Sequence, residues 1–242
     1  MSGMPALFCG YAPSSFLFGS MPEEMPVSLP GAGMKIVFLG PPGAGKGTMA
    51  TRTHTLLDVP HVSTGELFRE NIANETSLGL KVKDILSRGD LVSDEITVAM
   101  VKIRLEQEDA QDGFILDGFP RTIAQAEALG TIAGLHHVIN LLCPTHLLVR
   151  RLGGRRFCPQ CARTYHIDFM PPERSGVCDD DGSPLSTRDD DKQDAVQNRL
   201  KTYAELTEPL VTWYRSGNLL RELDASGPPD SVFESIRELL GR

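Results

Sequence analysis

Short apolar runs bounded by turn-forming residues recur along the chain and predict β-strands. The predicted strands cover 34–39, 60–63, 113–117, 137–143 and 219–223. Between them, apolar residues recur at spacings of three and four, as in Leu200, Tyr203, Leu206 and Leu210, and this periodicity predicts helices. The predicted helices cover 45–57, 65–73, 76–87, 94–108, 122–133, 144–152, 192–215 and 229–240. Strands that alternate with helices predict an α/β fold with a five-stranded parallel sheet and helices on both faces.

Two segments, 154–191 and 1–33, lack this alternation. Residues 154–191 are rich in Gly, Pro, Cys and Asp and show little helical periodicity, which predicts a subdomain inserted into the main domain. Residues 1–33 contain five Pro, no Lys or Arg and two Glu. They therefore lack the basic start of a secretory signal and the Arg-rich face of a mitochondrial transit peptide. We predict a loosely ordered extension over 1–33 and a domain over 34–242.

The composition fits one globular domain, because the 242 residues are 40% hydrophobic and 23% charged. The net charge of -8 opposes a general role in binding nucleic acid or anionic membranes, since both need a basic surface. No apolar stretch approaches the roughly 20 residues that span a bilayer. The five cysteines, an odd number with three in one segment, do not indicate a secreted disulfide framework and favour a reducing cytoplasm.

Residues 40–48, with the sequence GPPGAGKGT, follow the first predicted strand and open a helix. Glycines in this segment let successive backbone N–H groups turn toward a phosphate, and the helix start near Gly45 adds the positive end of its dipole. Lys46 is then placed to reach the β- and γ-phosphates. The general pattern G-x-x-x-x-G-K-[ST] is met through Lys46, but Gly47 follows and the hydroxyl is delayed to Thr48. The sequence predicts a phosphate-binding loop; the alternative is an ordinary Gly-rich turn.

Two further polar segments follow predicted strands. Thr64 stands at a strand end and Arg69 lies five residues later, one turn into the next helix, which predicts a second anion site. Asp117 ends another strand, at the carboxyl edge where ligands of open α/β sheets gather, and its carboxylate can hold Mg²⁺ or its waters. The alternatives are local roles, with Thr64 as a helix N-cap and Asp117 as a strand-end acid.

The insertion contains a candidate metal site. Cys158 and Cys161 form a C-x-x-C pair, and Cys178 follows at the start of the run Cys-Asp-Asp-Asp-Gly. Two such knuckles can complete a tetrahedral zinc site in which a carboxylate replaces the fourth thiolate. Asp181 keeps the x-x spacing and precedes a glycine, while Asp179 and Asp180 are alternatives. A redox C-x-x-C or scattered free thiols are the other interpretations, but the thioredoxin-like context of a redox motif is absent. A closed site of four ligands would be structural.

With these residues identified, the chain resembles adenylate kinase, in the bacterial version with a long metal-binding lid. The resemblance covers 34–242. It rests on GPPGAGKGT, STGELFR, GDLVSDE, DGFPRT with Gln125, GGRRFC, TYH at 164–166, TRDDD and the Cys3Asp quartet. It implies a P-loop nucleoside monophosphate kinase fold with an NMP-binding segment at 63–92 and a lid at 154–191. The Gly-Lys-Gly-Thr ending of the loop is usual in that family, which accounts for the departure at Gly47.

The resemblance also implies a role for each matched residue. The residues implied to bind ATP are Gly43, Ala44, Gly45, Lys46, Gly47, Thr48, Arg151, Arg155, Thr164, Tyr165 and Gly227. Those implied to bind AMP are Thr64, Arg69, Asp90, Leu91, Val92, Gly118, Phe119, Pro120, Arg121, Gln125, Arg188 and Arg199. Those implied in catalysis are Lys46, Asp117, Arg121, Arg155, Arg188 and Arg199. The implied metal ligands are Cys158, Cys161, Cys178 and Asp181.

Four details of the family bear on individual positions. Asp190 and Asp191 match its lid hinge acids, and the peptide bond before Pro120 is expected to be cis. Gln125 is expected to read the adenine edge of AMP. Where relatives place Lys or Gln near the ATP adenine, this chain has Ser-Gly-Pro around Gly227, so a contact there needs a backbone carbonyl.

The function implied is reversible Mg²⁺-dependent phosphoryl transfer, ATP + AMP to two ADP, with structural Zn²⁺ in the lid. We expect a monomeric cytoplasmic enzyme whose partners are ATP, AMP and ADP, without nucleic acid or membrane. One alternative is a kinase of another nucleoside monophosphate, or one that uses GTP as donor. A zinc-ribbon binding module is a third interpretation, but it leaves the phosphate loop and DGFPR unexplained.

Overall fold

A computed structural model describes residues 33–242, and its strands and helices alternate as the sequence predicts. The strands are β1 (Lys35–Leu39), β2 (His61–Ser63), β3 (Phe114–Asp117), β4 (His137–Leu142), β5 (Arg155–Phe157), β6 (Thr164–His166) and β7 (Leu220–Asp224). The helices are α1 (Lys46–Leu57), α2 (Thr64–Ala73), α3 (Ser77–Ser87), α4 (Asp94–Leu105), α5 (Glu108–Gln111), α6 (Ile123–Ile132), α7 (Thr145–Gly153), α8 (Gln193–Thr202), α9 (Pro209–Ser216) and α10 (Pro229–Leu239).

Five parallel strands form the main sheet, in the order β2-β3-β1-β4-β7. β1 is central, with Val37 paired to Leu116 of β3 and to Val138 of β4. The loop after β1, the start of α2 after β2 and the segment after β3 therefore emerge at one edge of the sheet. This edge is the carboxyl edge, where open α/β sheets bind ligands.

The core lies on both faces of this sheet, because successive residues of a strand point to opposite sides. Val37 and Leu39 belong to one buried cluster, with side chains of α4, α6 and α9. Ile36 and Phe38 belong to the other, with side chains of α1, α7 and α10. The sheet is thus covered by helices on both faces, as predicted.

The five predicted strands of the main sheet are confirmed, but two predicted helices are wrong in extent. The helix predicted over 94–108 ends at Leu105, and an extended Gln107 precedes the short α5, which buries Ala110 in the core. The helix predicted over 192–215 is interrupted by a π-helical turn at Tyr203–Thr207. Pro209 starts α9 and has no N–H to donate to the preceding turn, so the regular α-helical hydrogen bonding is broken there.

Residues 154–191, the predicted insertion, contribute no strand to the main sheet. They contain the antiparallel pair β5 and β6, which the sequence did not predict, and a small core of Cys158, Tyr165 and Cys178 with Leu185 against it. The predicted extension over 1–33 lies, except for its last residue, outside the described residues. Among residues 33–242, no helix combines the length and apolar character needed to cross a membrane.

Candidate functional site

A cleft of about 1200 Å³ opens at the carboxyl edge of the sheet. Its floor is the loop between β1 and α1, and its walls come from α2, the segment after β3, the insertion and α8. These are the same regions that contain the sequence motifs. The fold therefore brings motifs from distant parts of the chain into one cavity.

The loop between β1 and α1 has an open backbone that only glycines allow. Gly43 and Gly45 have φ angles of 88° and 97°, in the left-handed region. A Cβ on Gly43 would also lie 2.9 Å from the carbonyl oxygen of Leu148. Gly45 is the N-cap of α1, and among the described residues no side chain caps this helix. Its first N–H groups are thus available to an anion, as the predicted phosphate loop requires.

Lys46 folds back over this loop. Its Nζ donates hydrogen bonds to the carbonyl oxygens of Gly40 and Pro41, at 2.7 and 3.0 Å. Burial lowers the pKa of Lys46 to about 8, with Asp117 opposing the shift and nearby arginines adding to it. The ammonium group therefore has too little negative charge near it to balance its own charge, and a bound phosphate would supply that negative charge.

Asp117 faces the loop from β3. Its Oδ2 lies 3.4 Å from the position of a Cβ on Gly47 and 3.9 Å from Nε2 of His61. Burial would raise the pKa of Asp117, but His61 and Lys46 outweigh it and lower the pKa below its ordinary value. Asp117 is thus an ionised carboxylate at neutral pH. His61 was missed by the sequence analysis, although a polar residue at the start of a buried strand could have identified it.

Five predicted arginines line the cleft: Arg69 of α2, Arg155 of β5, Arg199 of α8, and Arg121 and Arg188 from two loops. Burial, reinforced by neighbouring arginines, lowers the pKa of Arg121 to about 10 and that of Arg188 to about 9. Nε of Arg188 is buried and has no hydrogen-bond partner within residues 33–242. Such crowded cations favour a polyanionic ligand, because it would offset both their burial and their mutual repulsion.

Asp190 and Asp191 orient part of this cluster. Nη1 of Arg199 donates to the carbonyl oxygen of Asp190 at 3.0 Å and to Oδ1 of Asp191 at 3.1 Å. Arg155 donates to both carboxylate oxygens of Asp191, with Nε 2.7 Å from Oδ2. Burial would raise the pKa of Asp190, but Arg199 and the other arginines lower it overall. Asp190 thus stays charged, and the two residues together hold the Arg155 and Arg199 guanidinium groups in place.

A smaller pocket beside the cleft gathers residues predicted to bind AMP, including Thr64, Leu91, Val92 and Gln125. The Thr64 hydroxyl donates to the carbonyl oxygen of Gly118 at 2.8 Å. The alternative of Thr64 as a helix cap is wrong, because Ser63 is the N-cap of α2. Thr64 therefore ties α2 to the segment after β3.

Gln125 is buried and its side-chain amide is held at both ends. Its Oε1 accepts from the backbone N–H of Arg121, and its Nε2 donates to Oδ1 of Asp94, both at 2.7 Å. Oδ2 of Asp94 accepts from the Thr122 hydroxyl at 2.8 Å. Each amide atom of Gln125 keeps one further hydrogen-bonding position. Asp94 was missed as a positioning residue, although it lies within the motif GDLVSDE.

The segment after β3 contains the predicted cis peptide bond between Phe119 and Pro120. The Phe119 side chain is wholly buried in the core, so only its backbone is available to a ligand. Gly118 and Pro120 line the cleft, and Nε of Arg121 donates to the carbonyl oxygen of Gly118 at 2.7 Å. The turn thus presents its backbone and the Arg121 side chain to the cavity.

On the opposite wall, Arg151 binds the loop that follows β7. It donates to the carbonyl oxygens of Ala225 at 2.8 Å, Ser226 at 3.3 Å and Gly227 at 3.2 Å. Phe169 also lines the cleft, with the Arg150 guanidinium 4.9 Å from its ring centre. The sequence analysis missed Phe169, because one aromatic residue in an irregular segment gives no pattern.

Two predicted ATP contacts from β6 differ in what they offer. Thr164 lines the cleft, and its hydroxyl lies 3.5 Å from Nη2 of Arg188. The Tyr165 side chain is buried, its hydroxyl 3.3 Å from Sγ of Cys178 and accepting from the Asp179 N–H. The Tyr165 hydroxyl therefore supports the cysteine cluster, while the residue also lines the cleft and its contact with ATP stays a prediction.

The predicted metal ligands come together in the insertion. One ligand atom from each of Cys158, Cys161, Cys178 and Asp181 lies within 4.8 Å of the others. The two knuckles have matching backbones: Ala162 and Gly182, just after each knuckle, have positive φ and donate to the carbonyl oxygens of Cys158 and Cys178. Asp181 thus takes the place in the second knuckle that Cys161 takes in the first.

The alternative ligands are used elsewhere. Asp180 pairs with Arg163, and Asp179 accepts from the backbone N–H of Glu173. Three thiols and one carboxylate are a donor set that suits Zn²⁺, and their closeness fits a single ion. The residues present therefore fit a four-coordinate structural metal site.

Comparison with known proteins assigns a family to this arrangement. A family profile described as adenylate kinase matches residues 38–219. An adenylate kinase of Treponema denticola is 47% identical over 204 residues, which cover 84% of this chain and 98% of the relative. An adenylate kinase of Shouchella clausii is 46% identical over 212 residues, covering 86% and 98%. One of Streptomyces coelicolor is 46% identical over 215 residues, covering 86% and 99%.

Proposed function

The chain belongs to the adenylate kinase family, and we propose that its cleft binds ATP along the phosphate loop and AMP in the pocket around Thr64 and Gln125. The chain is a phosphotransferase that catalyses reversible phosphoryl transfer from ATP to AMP, giving two ADP. This activity excludes the interpretation as a zinc-ribbon binding module. What we propose is the role of each residue.

The convergence of Lys46 with five arginines supports these roles more than any other observation. Phosphoryl transfer brings two polyanions together, and its transition state spreads negative charge over the equatorial oxygens. Fixed cations in a closed cleft stabilise that charge without reorganisation during the reaction. We assign Lys46 and Arg155 to the ATP phosphates, Arg69 and Arg121 to the AMP phosphate, and Arg188 and Arg199 to AMP and the transferred group.

The AMP phosphate is itself the nucleophile in this scheme and needs no side-chain base. The chain's task is to hold the two phosphates in line and to exclude water, since water in the cleft would hydrolyse ATP. The insertion at 154–191 is the proposed lid. Its Arg155 and Arg188 line the cleft, so lid closure would complete the cation cluster.

Adenylate kinases use ATP with Mg²⁺, which neutralises phosphate charge when bound. We propose that Asp117 holds the ion or its waters. The carboxylate is kept ionised by His61 and Lys46 and faces the phosphate loop, and a hard carboxylate oxygen suits Mg²⁺. Thr48, at the start of α1, also lines the cleft.

AMP is the expected acceptor by a wide margin. With ATP as donor, kcat/KM for AMP should exceed that for UMP or GMP by about 100-fold or more, because these two bases present the reversed hydrogen-bond pattern to the free positions of the buried Gln125 amide. Asp94 and the Arg121 N–H fix the direction of that amide. A coupled assay over the four monophosphates measures the ratio.

The same assay with GTP in place of ATP tests the donor side as an internal control. Comparable efficiency with UMP or GMP would overturn the assignment of Gln125 and leave the kinase mechanism standing. Efficient use of GTP would overturn the assignment of the Gly227 loop to the ATP adenine.

We propose Zn²⁺ as the lid metal, with a structural role. The purified protein is expected to contain one tightly bound ion per chain, and Cys158→Ser should lower its thermal midpoint by about 5–10 °C, because metal binding energy is folding energy in a lobe with so small a core. At temperatures well below unfolding, kcat should stay within about threefold of wild type. Elemental analysis and thermal unfolding measure both.

Cys143→Ser is the matched control, since Cys143 lies outside the quartet. This variant should keep the ion and the wild-type midpoint. A protein without transition metal, in which every thiol is freely titratable, would contradict the assignment.

We further propose that the enzyme acts as a monomer in the cytoplasm, with ATP, AMP and ADP as its partners. A thiolate-rich metal site needs a reducing compartment. The net charge of -8 opposes binding to nucleic acid or anionic membranes.

A further inference from the structure

The turn at 88–90, after α3, packs directly on α8. Gly89 is buried with φ 79°, and a Cβ there would lie 2.6 Å from Cγ of Arg199 and 2.8 Å from the carbonyl oxygen of Ala195. A glycine is therefore needed for both the backbone angle and the close approach. The turn leads straight into Asp90, Leu91 and Val92, the segment assigned to AMP.

Asn198 of α8 fastens this turn. Its Nδ2 donates to the carbonyl oxygen of Arg88 at 2.9 Å and to Oδ1 of Asp90 at 2.8 Å. Nε of Arg88 donates to the other carboxylate oxygen of Asp90 at 3.1 Å. The Asn198 bond, followed by the Arg88 bond, lowers the pKa of Asp90, so the acceptor is charged at neutral pH. Hydrogen bonds to charged acceptors are the stronger class.

The next residue along α8 is Arg199, which reaches the other way. Its side chain lines the cleft and bonds the hinge residues Asp190 and Asp191. One turn of α8 thus contacts both the AMP segment and the lid hinge. Asn198 does not line the cleft formed by the described residues, so it cannot act by touching a nucleotide there.

We propose that Asn198 is a positioning residue for the acceptor: it holds the turn at 88–90, and with it the backbone of residues 90–92, at the distance from Arg199 that AMP spans. This inference rests on the proposed assignment of residues 90–92 and Arg199 to AMP. A neutral amide is the side chain that suits this place, because it donates both hydrogens of one nitrogen to a carbonyl and a carboxylate.

Asn198→Ala tests the proposal by steady-state kinetics in the full chain. KM for AMP should rise about tenfold, while kcat and KM for ATP stay within about twofold of wild type. Calorimetric titration with AMP alone should show a matching loss of affinity. If Asn198 had a merely structural role, the substitution would instead lower the thermal midpoint and change KM for AMP and KM for ATP together.

Exchange of the amide and the carboxylate across the contact gives a second test. Asn198→Asp faces Asp90 with a like charge and should raise KM for AMP further than Asn198→Ala does. Adding Asp90→Asn to Asn198→Asp restores a donor and acceptor pair and should recover much of the loss. Failure of the double variant to improve on Asn198→Asp would overturn the proposal.

Gln197→Ala is the matched control, because Gln197 is the exposed neighbour on α8. It should leave all constants unchanged. Wild-type values for Asn198→Ala would overturn the inference and leave the proposed function intact. Failure of the proposed function would appear differently: Arg121→Ala, with Asn198 left in place, would not change the affinity for AMP.

Discussion

Lys46→Met is expected to lower kcat for phosphoryl transfer by about 1000-fold or more. The substitution removes a fixed positive charge that would contact the transferred phosphoryl group in a water-poor cleft. The protein should stay folded. Burial lowers the pKa of Lys46 to about 8, so the charged form is already disfavoured by its surroundings. Met retains the volume and removes that charge. A coupled ADP-release assay measures kcat, and thermal unfolding measures the fold.

The same substitution at an exposed site is the control for Lys46. Lys83→Met changes a solvent-facing lysine of α3 and should leave kcat unchanged. Near-normal turnover in Lys46→Met would show that the loop does not bind the transferred phosphate. A large loss of thermal stability would show that Lys46 serves the fold through its bonds to Gly40 and Pro41.

Arg121→Ala is expected to lower kcat by about 100-fold and to weaken AMP binding by about tenfold or more. The side chain extends from the turn after the cis bond into the cleft and is fixed by Gly118. Burial, and then repulsion from Arg199, lowers the pKa of Arg121 to about 10. Removing a crowded cation relieves that repulsion, so the thermal midpoint should hold or rise. Direct titration with AMP separates binding from turnover.

Arg215→Ala is the control for Arg121, since Arg215 pairs with Glu222 at the surface, away from the cleft. It should leave AMP affinity and kcat unchanged. Unchanged AMP affinity in Arg121→Ala would argue against its assignment to the AMP phosphate. A fall in the thermal midpoint would indicate that the Gly118 contact stabilises the fold.

Long periodic segments were the predictable part of the fold. The three inner strands of the main sheet, β1, β3 and β4, contain runs such as Ile36–Leu39 that are buried on both faces, so their apolar pattern is continuous. β5 and β6 were missed because each has only three residues and lies in a lobe organised by thiols. The π turn before Pro209 was missed because its Thr207 hydroxyl bonds Arg121, 86 residues away.

Motif residues were the predictable part of the site. Lys46, Thr64, Asp117 and Arg121 lie in short local patterns that indicate their chemistry. The fold brings Lys46, Asp117 and Arg121 to one cleft and Thr64 to the smaller pocket beside it. Asp94 lies in the motif GDLVSDE, but the motif does not indicate its partner, and His61 and Phe169 lie in no motif. Each matters only through a neighbour that is distant in sequence: Gln125 for Asp94, Asp117 for His61 and the cleft wall for Phe169.

The sequence by itself determined the α/β class, the phosphate loop, the cysteine quartet and the family, because periodicity and motif spacing are local properties of the chain. Only the tertiary structure decided the partners of each group. It selected Asp181 over its two neighbours, turned the Tyr165 hydroxyl to Cys178 and placed Asn198 against the turn at 88–90. Hydrogen bonds and charge pairs depend on distances between segments far apart in sequence, and those distances exist only once the sheet and its helices have packed.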